Sequence, residues 1–337
     1  MSRFHRSIGI LAAAAALASL AACGSASTKT RSQPSTPAGT AATTATTEHL
    51  TVGLIPIADT GEYFTAEAQG FFAQEHLSVT SATIAGGATL IPALESGAMN
   101  VGFSNLVSVL QAGEHNFGVK CLAGTLKKPA TGHNLSLLVS PKYAGEINSA
   151  KDLDGKSIAV NTLQNINQLV AEAWMQKHGG DPSSVHFVAV NFPDMPAEIQ
   201  KGDVVAAITD EPFTTISLNA GAKLLDPRPY QAIAPTPLYS CWLVSSSWLS
   251  SHEQAAKGFV TALNDAGSYL AAHPDYLRQI LPKYTQISAQ LAKVINLPDV
   301  TTELSVADLK VWETAALRFG LLSKPVDLNS LVAHLGS

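Results

Sequence analysis

The sequence predicts an α/β fold of two similar lobes, joined by two crossings, with a ligand cleft between them. Three observations carry this. Short strands alternate with short helices, which is the grammar of a parallel sheet covered by helices. The same alternation then runs a second time. The chain has 337 residues, more than one ordinary domain of about 100–200. Its 46% hydrophobic content is ample for buried cores.

Folded sequence begins at about His49. Residues 50–55 have strand character, 63–74 a helical pattern, and 77–82 a second strand. Gly86-Gly87-Ala88-Thr89 opens a helix to Glu95; a strand over 100–104, a helix over 106–112 and a strand over 119–123 follow. The second pass has strands at 157–160, 186–190, 204–208 and 222–225, with helices at 166–177, 196–201 and 212–219 between them. Residues 135–140 are expected to cross outward between the lobes. The return crossing is expected at 238–244, after the Pro-rich passage Asp226–Pro237, with helices from 253 to 273 and onward. The expected lobes are therefore 49–138 with 239–337, and 139–238. The segment from Gly97 to Asn105 overlays Gly202 to Asp210, placing Ser104-Asn105 and Thr209-Asp210 at equivalent strand ends. Open α/β sheets bind ligands at that edge.

The N-terminus reads as an export signal over residues 1–22: Arg3 and Arg6 precede an uncharged apolar run from Ile8 to Ala22. Its 15 residues span roughly 22 Å, short of the ~30 Å hydrocarbon core. Leu20-Ala21-Ala22-Cys23-Gly24 resembles the lipobox of bacterial lipoproteins, which implies lipid attachment at Cys23. Residues 23–48 form an expected tether, rich in Ser, Thr, Ala and Pro. The protein is thus expected to be held by lipid on the extracytoplasmic face of a cell membrane. Loss of Arg3 and Arg6 takes the 21 basic residues to 19 against 26 acidic ones, a net charge of −7. No basic block suggests nucleic acid.

Several segments together resemble the periplasmic binding proteins of the nitrate, sulfonate, taurine and thiamine-pyrimidine-precursor type, the solute receptors of bacterial ABC importers. The matching residues include Val52-Gly53-Leu54, Ala66 to Phe72, Ala93 to Gly97, Leu153 to Asn161, Phe192 to Pro196, Asp210-Glu211-Pro212 and Phe319 to Leu322. The resemblance implies a type II periplasmic-binding-protein-like fold. It also implies a small-molecule ligand, an ABC permease with its ATPase subunits as partners, and a monomer without cofactor. The chain departs from the pattern at Asn100 and Val205, where the family usually has an acid. A related branch makes the thiamine pyrimidine from its own histidine, with a cysteine-rich iron motif that Cys23, Cys121 and Cys241 cannot form. The ten histidines are scattered, without HxH or HExxH spacing, and no G-x-S-x-G elbow occurs. The expected function is solute capture rather than catalysis, with an enzyme on the same fold or a ligand sensor as the alternatives.

The expected ligand residues are Asp59, Tyr63, Gly87, Thr89, Asn105, Thr162, Asn165, Asp210, Glu211 and Tyr239. Gly87 and Thr89 open a helix whose free N–H groups suit an anion, yet serve equally as a plain helix start. Asp59 and Tyr63 follow the first strand, and Thr162 and Asn165 occupy the corresponding turn of the second lobe. Asp210 and Glu211 fit a ligand contact and also a helix N-terminus. Phe103, Phe192, Phe213, Tyr63 and Tyr239 suit either stacking on a flat ligand or the core. The cleft loops carry four acids and no Lys or Arg, which favours a neutral, cationic or zwitterionic nitrogen-bearing ligand over a simple anion. No metal is expected. Cys121 and Cys241 remain as an even pair, compatible with a bridge or with two buried thiols. Cys23→Ala is expected to abolish recovery in the membrane fraction; a variant that stays as firmly bound, with the same processed N-terminus, contradicts the lipobox.

Overall fold

The computed structural model describes residues 46–336. The export segment, Cys23 and all but the end of the tether lie outside the described residues. Eleven strands form two sheets: β1 (Glu48–Leu54), β2 (Leu77–Thr83), β3 (Val101–Asn105), β4 (Val119–Lys127), β5 (Leu135–Val139), β6 (Ser157–Val160), β7 (His186–Ala189), β8 (Ala206–Asp210), β9 (Lys223–Asp226), β10 (Leu238–Ser245) and β11 (Asp299–Val300). The first sheet runs β11-β4-β10-β3-β1-β2, the second β7-β6-β8-β5-β9. In each, a parallel core is built as sequence alternation demands: β2 and β3 flank β1, and β7 and β8 flank β6.

Each sheet is also mixed. β10 lies antiparallel between β3 and β4, and β5 lies antiparallel between β8 and β9. The stretches expected to cross between lobes are therefore fully paired interior strands, and the chain passes between the sheets through 128–134 and 227–237. A run such as Leu135–Val139, buried at every residue, has the composition of a central strand. The two passages are tied together: Lys128 N–H donates to the Pro237 carbonyl (3.0 Å), Tyr230 hydroxyl to that of Pro129 (2.5 Å) and Arg228 Nη1 to that of Gly132 (2.8 Å).

The overlay of the two passes is realised in space. Val101 of β3 pairs with Val52 and Ala206 of β8 with Ile158, while Asn105 faces Ser240 and Asp210 faces Leu135. Ser104-Asn105 and Thr209-Asp210 thus end equivalent strands.

Helices cover the sheets. The first expected helix is broken into Gly61–Gln69 and Phe71–Gln74. Gly70 takes a left-handed conformation (φ 76°), and its N–H caps the carbonyls of Ala66 and Glu67. Trp242 of β10 centres the first core, its ring 5.7 Å from Tyr63, 6.1 Å from Phe103 and 5.4 Å from Phe259. Among the described residues no helix is long and apolar enough to cross a membrane. Cys121 and Cys241, diagonal neighbours on β4 and β10, form a disulfide with Cα atoms 5.7 Å apart. It closes a loop of sequence separation 120 that contains the whole second sheet. Replacing both cysteines by serine is expected to cost about 2–5 kcal/mol in chemical denaturation. Recovery of both thiols free in non-reducing mass spectrometry contradicts the bridge.

Candidate functional site

The carboxyl ends of the parallel strands face each other across a narrow cavity of about 360 Å³, open mouth included. Three helix N-termini border it. Asn105 caps Leu106–Glu114, its Oδ1 accepting from Ser108 N–H (3.0 Å). Asn165 caps Ile166–Lys177, accepting from Asn167 and Gln168 N–H (3.0 and 3.3 Å). The third helix, Gly87–Glu95, starts against the first: a Cβ on Gly87 would lie 2.4 Å from Ser108 Cβ and 2.8 Å from Ser104 Oγ. A side chain there would push the helix away, so close approach requires glycine.

Of the expected ligand residues, Asp59, Gly87, Asn105, Asn165, Asp210 and Tyr239 line the cavity. The other four do not. Tyr63 is fully buried in the aromatic core around Trp242, because Tyr63, Phe64 and Ala66 form the inner face of their helix. Thr89 is exposed and turns its hydroxyl back to the Gly86 carbonyl (2.9 Å) as a local cap. Thr162 lies toward an outer groove, and its hydroxyl accepts from Asn165 Nδ2 (2.6 Å). Glu211 is turned away, held by Thr215 N–H and hydroxyl (3.1 and 2.8 Å) and by Asn296 N–H (3.1 Å).

Several lining residues were not singled out from sequence: Ile55, Ile57, Asn161, Ile166 and Asn167. Phe103 and Phe192, named as stacking candidates, also line it, whereas Phe213 does not. Asn161 Oδ1 accepts from both Asn165 and Asn167 (2.8 Å each). The sequence signal was present, three asparagines in seven residues just past a strand, but it reads as ordinary turn composition.

The largest correction is Lys128. The Lys127-Lys128 pair at the end of β4 looks like surface charge, yet Lys128 is fully buried between the lobes. Its Nζ donates to Asp59 Oδ2 (2.6 Å), Asp210 Oδ2 (2.9 Å) and Asn134 Oδ1 (2.8 Å), and lies 4.7 Å from the centre of the Tyr239 ring. All three ammonium protons are engaged. Burial opposes the charge, but the Asp210 and Asp59 carboxyls hold Lys128 above its ordinary value. Burial, with Asp59 alongside, raises Asp210 well above the usual carboxylate range. The cleft acids are therefore not unpaired. Two are bound to one lysine and two, Glu62 and Glu211, are outside the lining.

The lobes also bond directly across the cavity. Tyr239 hydroxyl donates to Asn167 Oδ1 (2.5 Å), Asn161 Nδ2 to the Ala85 carbonyl (3.1 Å), and Ala58 N–H to the Glu211 carbonyl (2.8 Å). This is a closed cleft.

Two α/β lobes, each completed by an antiparallel strand, with a cavity at their facing edges, make up the periplasmic binding protein fold. The chain belongs to the NMT1/THI5-like family, whose sequence model matches residues 58–276. Solved structures show the same fold. The alkanesulfonate-binding protein SsuA from Xanthomonas axonopodis pv. citri, bound to MOPS, is 18% identical with a TM-score of 0.70, over 86% of this chain and 99% of that one. The periplasmic nitrate-binding protein NrtA from Synechocystis PCC 6803 is 14% identical with a TM-score of 0.71, over 85% of each chain. The desulfurization enzyme DSZB is 17% identical with a TM-score of 0.63, over 85% and 96%. No curated protein matches in sequence.

Lys128→Met is expected to destabilise the protein by about 3–5 kcal/mol, since it strands two buried carboxyls; urea denaturation measures this. Glu62 is fully buried, accepts from Trp242 Nε1 (2.9 Å), and is pushed by burial up to about 8; burial brings Glu211 to about 7. The folded state keeps these protons after the unfolded chain has released them near pH 4.5. Stability is therefore expected to fall as pH rises from about 4.5 through about 7 and 8. A Glu62→Gln variant should show a shallower fall in melting temperature across that range; an unchanged slope contradicts the assignment.

Proposed function

We propose that this protein is a lipid-anchored extracytoplasmic solute receptor. It captures a small molecule between its lobes and delivers it to an ABC importer. The observation that carries the reading is the cavity at two facing sheet edges, walled by both lobes and spanned by bonds between them. A solute touching both walls favours the closed state by the worth of those extra contacts. Delivery, the anchor at Cys23 and a monomeric state rest on the family and on the N-terminal sequence. Binding is favoured over catalysis because the carboxyls of the lining, Asp59 and Asp210, are both committed to Lys128.

The charge count, revised for Lys128, supports a ligand that is uncharged or zwitterionic and small. The lysine has no donor left for an anion, and the acids leave little uncompensated charge for a cation. Asp59 and Asp210 offer oxygen atoms to donor groups of the ligand, the asparagines offer amides, and Phe103, Phe192 and Tyr239 offer ring faces. A second reading is a single sulfonate- or nitrate-like ion, as the names of SsuA and NrtA suggest for those proteins. The start of the Gly87–Glu95 helix, which carries no side-chain cap, favours it.

Calorimetry with neutral pyrimidines, aminosulfonates, ethanesulfonate, nitrate and simple amines separates the two. Saturable binding of an uncharged or zwitterionic compound, weakened about tenfold or more by Asn167→Ala, is expected. Tighter binding of nitrate or ethanesulfonate favours the second reading. Co-purification with a permease distinguishes transport from sensing, and turnover of any bound compound would replace the receptor with an enzyme.

A further inference from the structure

The consecutive residues Asp210 and Glu211 end β8 in the second lobe, and the first lobe buries both. Asp210 is 2% exposed and Glu211 is not exposed at all. Across the lobe boundary Asp210 meets Lys128 and, through it, Asp59, a residue just past β1. Glu211 accepts from Asn296 N–H (3.1 Å) with its side chain and from Ala58 N–H (2.8 Å) with its carbonyl; both donors belong to the chain segments that build the first sheet and its helices. Separating the lobes removes these partners and returns both carboxyls toward water.

We propose that closure of the cleft takes up protons at Asp210 and Glu211, so that the closed form gains population as the medium acidifies. Closure sets the Asp210 carboxyl beside that of Asp59 with a single ammonium to serve both. Lys128 balances one negative charge, and a proton removes the other. Glu211 is hydrogen-bonded by the neutral donors of Thr215 and Asn296, with the His133 ring 3.7 Å away, so desolvation favours its protonated form. Burial raises both carboxyls, Glu211 to about 7, in agreement with this geometry.

The other titratable groups facing the pair are defined. Tyr239 and Tyr230 stand near Asp210, and Glu62 near Asp59; burial favours the neutral form of all three, so none supplies a compensating charge. His133 Nδ1 lies 3.7 Å from Glu211 Oε1, and its own protonation would favour an ionised Glu211. Asp210 has no such competitor besides Lys128, which stays charged. Because one extra proton bound by the closed form changes the closed-to-open ratio tenfold per pH unit, the effect is large over the range in which the two forms differ in protonation.

The inference rests on the reading of the lobes as a hinged, closing receptor, and a solute-free experiment tests the two separately. Nitroxide labels at Phe117→Cys and Leu163→Cys, exposed side chains on opposite lobes, report the lobe separation by dipolar electron resonance on the full chain. The native bridge between Cys121 and Cys241 leaves those two cysteines unlabelled. Two separations are expected, the shorter one gaining population from pH 8 to pH 5 by about tenfold per unit where one of the two groups differs in protonation, and by up to about a hundredfold where both do. In the same labelled chain, Asp210→Asn with Glu211→Gln, which imitates the protonated pair, should hold a nearly constant ratio. Two separations whose ratio ignores pH overturn the proton coupling while leaving the hinge intact. One separation at every pH overturns both. A double variant with the unaltered pH response also overturns the assignment, because the protons would then bind elsewhere. Should that variant not fold, the response of the parent chain decides.

Discussion

Lys128 sits where the two lobes and the passage between them meet, with no access to solvent. Removing an ammonium from water costs several kcal/mol, and the cost is offset only when every proton finds an acceptor. Here Asp59 comes from the first lobe, Asp210 from the second, and Asn134 from the passage itself. No single lobe supplies the full set, so the lysine is satisfied only in the assembled, closed arrangement. The cluster therefore defines the relative position of the lobes more than it adds to stability. It also decides the electrostatics of the cavity, since the acids that would otherwise dominate the lining are spoken for.

The rest of the cavity follows from the way each sheet is completed. β5 and β10 run against their neighbours because each enters its sheet directly from a passage between the lobes. Their insertion beside β8 and β3 brings Asp210 and Asn105 to matching corners of the two sheets. From the Asn105 edge the chain turns directly into a helix whose start borders the gap. The disulfide from Cys121 to Cys241 secures β10 against β4, the strand that leads into Lys128. Packing around Trp242 holds the same strand from the other side, with Glu62 satisfying its indole N–H.

Local chemistry was legible in the sequence wherever it depends on neighbours along the chain. Alternation of strands and helices located most elements within a few residues, and the match of 97–105 to 202–210 identified the two strand ends that carry Asn105 and Asp210. Asp59, Gly87 and Asn165 followed from their places just beyond strands, because such edges face a cleft in this architecture. Family membership, too, is written in the order of short segments.

Only the tertiary structure decided which polar groups are spent on one another. Tyr63 and Thr89 satisfied the same local rules as true lining residues, but helix rotation sends one into the core and the other to solvent. Lys128 is the clearest case. Next to Lys127 it has the sequence context of a solvated charge, and its carboxylate partners lie 69 and 82 residues away. Burial, pairing and the resulting shifts in protonation depend on what the rest of the chain packs around a group. Composition and spacing hold the inventory of charges, whereas the fold determines which of them remain free to meet a ligand.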